Sequence, residues 1–359
     1  MAAHRPHLYL LAYIPPALLP LAAWLGQLTG WHDTFAWLPM VVLFVVLPII
    51  DAWLGADASQ PPDAGNGFEV LQDAPAYRWL TILCVPLQWA LLAWSLWHWQ
   101  RTGFGVLGSL GWLVSLGVVG GVLAINVAHE LIHKAGRIEP LLGGMLLASV
   151  GYSGFKIEHL RGHHVHVATP LDPSTARLGE SSFAFVVRGL MLNPVRAWRL
   201  TRTKAERAEL LGWHALTLAM AAAFGLWLGA LAMLAFVAQA LIAAGALEVI
   251  NYVEHYGLTR ERSNEGRFAR FTHAHSWNSN FMLTNVMLFQ LQRHADHHAH
   301  PRRRYQSLRH HPDSPQLPAG YAAMFVLALF PPLWRQVMDR RVIALRASQP
   351  SPPASLPAA

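Results

Sequence analysis

The stretch from Val106 to His133 reads VLGSLGWLVSLGVVGGVLAINVAHELIH, and its reading decides the fold. No charged residue occurs from Val106 through Val127, a run of 22 residues. At about 1.5 Å of helix per residue this reaches across the hydrocarbon core of a bilayer, which needs roughly 20 apolar residues. Polar chemistry begins where the run ends, with His129, Glu130 and His133. Imidazoles four positions apart share one helical face. A membrane span therefore delivers a pair of metal-capable side chains to its own end.

Five more stretches match the first in length and polarity: Leu8 to Leu28, Phe35 to Leu54, Tyr77 to Trp97, Leu210 to Leu228 and Leu231 to Val253. With Val106 to Val127 they predict an all-α integral membrane protein of six transmembrane helices in three hairpins. Of the 359 residues, 53% are hydrophobic and 13% charged, where a soluble domain has roughly a quarter charged. One membrane domain is expected over residues 1–346, with a Ser-, Pro- and Ala-rich disordered tail at 347–359. Leu141 to Tyr152 and Ala322 to Trp334 are apolar but too short to span, and are expected at the interface or against the bundle. The first run, with Pro15, Pro16 and Pro20, begins a series of similar segments and reads as a span, not a cleavable signal.

The hairpin turns at Gly30 to Thr34, His98 to Gly105 and Gly229 hold one basic residue, Arg101, whereas the opposite side is rich in arginine. The positive-inside rule places that side in the cytoplasm of an inner (plasma) membrane, multi-pass protein. This topology accounts for the net charge of +7, and no nucleic-acid motif accompanies the arginines. Trp31, Trp97, Trp99 and Tyr77 stand where interfacial aromatic anchors belong. Cys84, the one cysteine, reads as a small buried side chain and excludes a disulfide framework or cysteine-held iron.

Of the 20 histidines, nine fall into four clusters. His129 and His133 form the first; His159, His163 and His164 the second; His294, His297 and His298 the third, at i, i+3 and i+4. His255, at the end of the sixth span, is the ninth. Nine imidazoles exceed what one ion takes, since a catalytic zinc binds about three protein ligands. Two metal ions are expected, all ligands lying at one membrane face. Imidazole alone does not select among iron, copper, zinc and nickel. Glu130, Glu158, Glu254 and Asp296 are candidates for holding the outward ring N–H groups. His273, with His166, His275 and His300, is a candidate ligand or partner. His4, His7, His32, His98, His214, His310 and His311 are expected at the interface or in solvent.

The first cluster alone also fits a zinc protease, with Glu130 as general base, but that leaves seven histidines without a role. A metal transporter would carry more ionisable residues within its spans. Lys134, Arg161 and Arg293 read either as counter-charges to the carboxylates or as headgroup contacts. Trp53, near the end of the second span, is a candidate for the substrate channel, with an interfacial anchor as its plainer role.

The residues His129 to Lys134, Glu158 to Val165, Leu291 to Ala299 running on to Gln306, and the block Asn251-Tyr252-Val253-Glu254-His255-Tyr256-Gly257 together resemble the alkane 1-monooxygenases. The three histidine boxes are shared with membrane desaturases and xylene monooxygenase. The Asn251 to Gly257 block and His273 to Asn280 resemble the alkane hydroxylases more narrowly. The likeness extends from about Leu8 to Arg335.

The resemblance implies two non-haem irons held by the nine histidines, O2 as oxidant, and terminal hydroxylation of n-alkanes to 1-alkanols. It also implies electrons from NAD(P)H through a rubredoxin reductase and rubredoxin. With Cys84 alone, the chain cannot supply a rubredoxin's four cysteines, so the donor is a separate protein. Arg302, Arg303, Arg304 and Arg309 are candidates for docking it, with lipid headgroups as the competing partner. An aryl-methyl (xylene-type) monooxygenase or a fatty-acyl hydroxylase or desaturase is the alternative that retains the di-iron site.

Overall fold

The computed structural model describes residues 5–263 and 265–348. Among the described residues six helices are long and apolar enough to cross a membrane: α1 (Pro6–Thr29), α2 (His32–Leu54), α3 (Gly65–Thr102), α4 (Val106–Ile132), α8 (Lys204–Leu228) and α9 (Ala230–His255). Each contains one of the expected spans. Between them lie α5 (Ile138–Ser149), a helical segment α6 over 155–166, and α7 (Ser182–Leu200). After α9 come the short α10 (Met282–Met287) and α11 (His294–Ala299), then α12 (Tyr321–Ala328) and α13 (Pro331–Ser348). No β-strand occurs among the described residues, only isolated bridges.

Local chemistry sets the boundaries. Thr203 Oγ1 accepts from Glu206 N–H at 3.2 Å while Glu206 Oε2 accepts from Thr203 N–H at 3.2 Å, a reciprocal cap that starts α8 before its apolar run. Gly229 separates α8 from α9 at φ 92°, a conformation open to glycine and costly to other residues. Between the second and third expected spans, Gly65–Asp73 is helical and forms the first turns of α3. Of the two short apolar stretches, the first is α5, packed within the bundle, and the second splits into α12 and α13 at Leu329 and Phe330. Ala347 and Ser348, expected to open the tail, end α13, and residues 349–359 lie outside the described part.

Small residues let the helices approach, as membrane packing requires where lipid offers no hydrophobic contrast. A Cβ at Gly117 of α4 would stand 2.6 Å from Ile242 and 2.9 Å from the Gln239 carbonyl of α9. Gly143 of α5 meets Ile132 and the Ala128 carbonyl of α4, and Gly144 meets the Trp213 ring of α8. These contacts fix the ends of α4 and α9 side by side, where His129 and His255 stand. Among the described residues three π-helical turns interrupt the helices, at Val42–Val46, Gly121–Ile125 and His159–His163. Such turns rotate the following residues and occur often at functional sites.

Candidate metal centre

Two groups of imidazoles form at one end of the bundle. His129, His133, His159, His164 and His297 make the first, and His163, His255, His294 and His298 the second. In the first, Nε2 of His159 lies 3.1 Å from that of His133 and 3.0 Å from that of His164, which is 3.2 Å from His297 Nε2. In the second, His298 Nε2 lies 3.2 Å from that of His163 and 3.0 Å from that of His294, itself 3.2 Å from His255 Nε2. Adjacent ligands around one ion, with metal–nitrogen bonds of roughly 2.1 Å, stand about 3 Å apart at a right angle. Both groups fit a bound ion. His129 Nε2 is buried without a hydrogen-bond partner, which a metal would remedy.

The π-turn explains why His163 and His164 separate. By extending one turn of α6, it directs His159 and His164 to the first group and His163 to the second. Box three divides likewise, with His297 in one group and His294 and His298 in the other.

Electrostatics favour the metal-binding form of the rings. Burial, then the charge of neighbouring imidazoles, holds His133, His159, His164, His294, His297 and His298 well below the ordinary imidazole range. Neutral imidazole is the form that ligates. His163 differs: burial lowers it, but Asp172 overrides this and leaves it raised. Asp172 is correspondingly lowered, because its bond to His163 outweighs the upward push of burial.

The carboxylates are not placed as the sequence suggested. Glu130 pairs with Lys134 at 2.8 Å and accepts from the Tyr305 N–H at 3.3 Å, so it is committed away from the imidazoles. Glu158 faces Arg196 Nε at 3.3 Å. Its burial, together with the charge of Asp172, pushes it up to about 8. Asp296 is held by Arg303 at 3.0 Å on each oxygen, by the Arg309 N–H at 3.0 Å and by His311 at 2.9 Å. Glu254 is the one of the four that reaches a box imidazole, its Oε2 lying 3.3 Å from His294 Nε2. The carboxylate on an outward ring nitrogen is Asp172, 2.9 Å from His163 Nδ1, which sequence reasoning missed. Its Pro-Leu-Asp-Pro setting at 170–173 offered no periodic signal.

His273 stacks on His311 at 3.7 Å and 17°, with Asp296 beside them. Near-parallel rings send their lone pairs along parallel directions, and Arg303 already neutralises Asp296, so this trio reads as a buttress for α11. His311 was expected at the interface or in solvent; it belongs to this buttress. His275 accepts the Thr272 N–H at 2.9 Å, and His166, His275 and His300 belong to neither imidazole group. Arg293 is buried against Asp57, not exposed to headgroups, and Arg161 pairs with Glu206 at 2.7 Å.

An apolar cavity opens from the centre into the bundle. His129, His159 and His294 close one end, so both imidazole groups border it, and Leu43, Phe44, Val118, Val122 and Phe325 line the apolar part. Both π-turns in the spans contribute to this wall. Trp53 does not line it; its side chain is 82% exposed, on the outer surface of α2, as an interfacial anchor would be.

The sequence profile of the Fatty acid desaturase family matches residues 104–328. Alkane 1-monooxygenase 2 of Alcanivorax borkumensis is 46% identical over 337 residues, covering 91% of this chain and 88% of that protein. Alkane 1-monooxygenase 1 of Pseudomonas aeruginosa is 43% identical over 359 residues, covering 97% and 94%. The xylene/toluene monooxygenase hydroxylase component of Pseudomonas putida is 28% identical over 233 residues, or 62% of each chain. With six spanning helices and nine imidazoles gathered beneath an apolar cavity, the chain belongs to the alkane 1-monooxygenase family.

Proposed function

We propose that this protein hydroxylates the terminal carbon of n-alkanes to 1-alkanols, using O2 and a pair of non-haem irons held by His129, His133, His159, His163, His164, His255, His294, His297 and His298. The observation that carries the reading is the apolar cavity whose closed end is formed by imidazoles of both groups. An alkane has no polar handle, so only shape and water exclusion can orient it. Bound iron would supply the oxidant that an unactivated C–H bond requires. The cavity walls would hold the chain end-on, and Leu43, Phe44 and Phe325 would keep bulk water from the reacting carbon.

Electrons would come from reduced rubredoxin, recharged by an NAD(P)H-dependent reductase, with the metal centre at the cytoplasmic side of the inner membrane. Arginine-rich connections at the end that bears the histidines support that orientation. Arg303, Arg304 and Arg309 are each ion-paired within the fold, to Asp296, Glu139 and Asp63, so among the described residues Arg302 is the member of the basic run without an ion pair. Reconstitution with iron, rubredoxin, its reductase, NADH and an alkane, with products separated by gas chromatography, tests the reading. A 1-alkanol is expected. An alkene as product, or no oxidation with two irons bound, would overturn it.

A further inference from the structure

Carboxylates are distributed unequally over the two imidazole groups. Among the described residues, the carboxylates paired with a box imidazole are Asp172, on His163, and Glu254, on His294, and both rings belong to the group of four. Among the described residues no carboxylate is paired with a ring of the group of five, whose His129 and His133 instead feel the positive charge of Lys134.

The Asp172 carboxylate is held from several sides. Thr175 Oγ1 donates to its Oδ2 at 2.7 Å, and the Ser174 N–H donates to Oδ1 at 3.1 Å. Thr175 Oγ1 also accepts from the Ala168 N–H at 2.8 Å, and Asn193 Nδ2 reaches Ser174 Oγ at 3.4 Å. Between His163 and Asp172 the chain doubles back through Ala168 at φ 58°, which disfavours a residue with a side chain. The backbone accepts an unfavourable conformation in the loop that returns this carboxylate to the ring nine positions earlier.

We propose that Asp172, acting through His163 as a positioning residue, makes the two metal positions unequal, so that the four-histidine position binds its ion first and holds it more tightly. This rests on the reading that the nine histidines hold two ions. A carboxylate on the outward nitrogen fixes the ring and strengthens its donor atom. The Asp172 anion near a dication in a water-poor site outweighs the one additional neutral donor of the five-histidine group, which has Lys134 beside it.

Anaerobic titration of the metal-free protein with Co(II), followed by visible ligand-field spectra, reads the two positions separately. Two phases are expected, of which His255→Ala removes the tighter and His133→Ala the weaker. Asp172→Asn should weaken the tighter phase by about 10- to 100-fold and leave the other unchanged, the usual range for losing such a partner. Thr175→Ala should give a smaller loss in the same phase, and Asp172→Glu should restore part of the affinity. A single phase in the native protein, or an Asp172→Asn effect on the weaker phase or on neither, with native helical circular dichroism, overturns the proposal. If neither histidine variant removes a phase, the two-ion reading fails and takes the proposal with it.

Discussion

Arg293 Nη2 lies 3.0 Å from Asp57 Oδ2, and both side chains are buried. The guanidinium also donates to the carbonyls of Leu308 at 2.7 Å and Ser59 at 3.0 Å. It thus ties the start of α11, with its three box histidines, to the segment after α2. Removing one partner of a buried pair leaves an uncompensated charge, at a cost of about 3–5 kcal/mol. Asp57→Asn should therefore lower the unfolding midpoint in detergent markedly and reduce bound metal. A midpoint equal to that of the native protein would show that the pair does not secure α11.

His129, His164 and His297 stand in the five-imidazole group. Replacing any one with alanine should abolish hydroxylation and diminish the iron bound at that position, read by metal analysis of the purified protein. The second group should retain its ion, because its ligands come from other positions in the boxes and from α9. Full activity in one of these variants would exclude that residue from the centre.

The gathering of the nine imidazoles was legible because helical spacing places i, i+3 and i+4 residues together, and spans of fixed length place the boxes at one end. The division into groups was not legible. His163 and His164 are neighbours in sequence, and the π-turn that sends them to different groups has no signature in composition. Asp172 and Asp57 were also hidden, since each acts from a loop whose path depends on the whole fold. Glu130 and Asp296 looked like imidazole partners by proximity in sequence, yet Lys134 and Arg303 lie nearer in space.

Burial of six imidazoles sets the sign of a pH effect. His133, His159, His164, His294, His297 and His298 are lowered from 6.5 in the native state. As pH falls through about 6.5, the unfolded chain takes up protons that these native rings refuse, so it binds more protons and stability declines. His163 and Glu158 are both raised and oppose this, two groups against six. The metal-free protein should lose thermal stability as pH falls below about 6.5, and bound metal should move that onset to lower pH. Melting curves at stepped pH check both, and stabilisation on acidification would contradict the assignment.

Val118 and Val122 lie on α4 toward the bilayer interior from His129, two to three turns along the helix, and both line the cavity. An alkane whose end carbon faces the imidazoles must extend past them. Val118→Trp adds a ring to the distal wall without touching the metal end. It should reduce turnover of the longest alkanes in a graded series while sparing shorter ones, as read by gas chromatography of the alcohols. Loss that is uniform across the series would mean the substrate does not lie along α4. Trp53→Ala should leave the length profile unchanged, because that ring is outside the cavity and faces away from it. A shift in the profile with Trp53→Ala would place the substrate path along the outer surface of α2 instead.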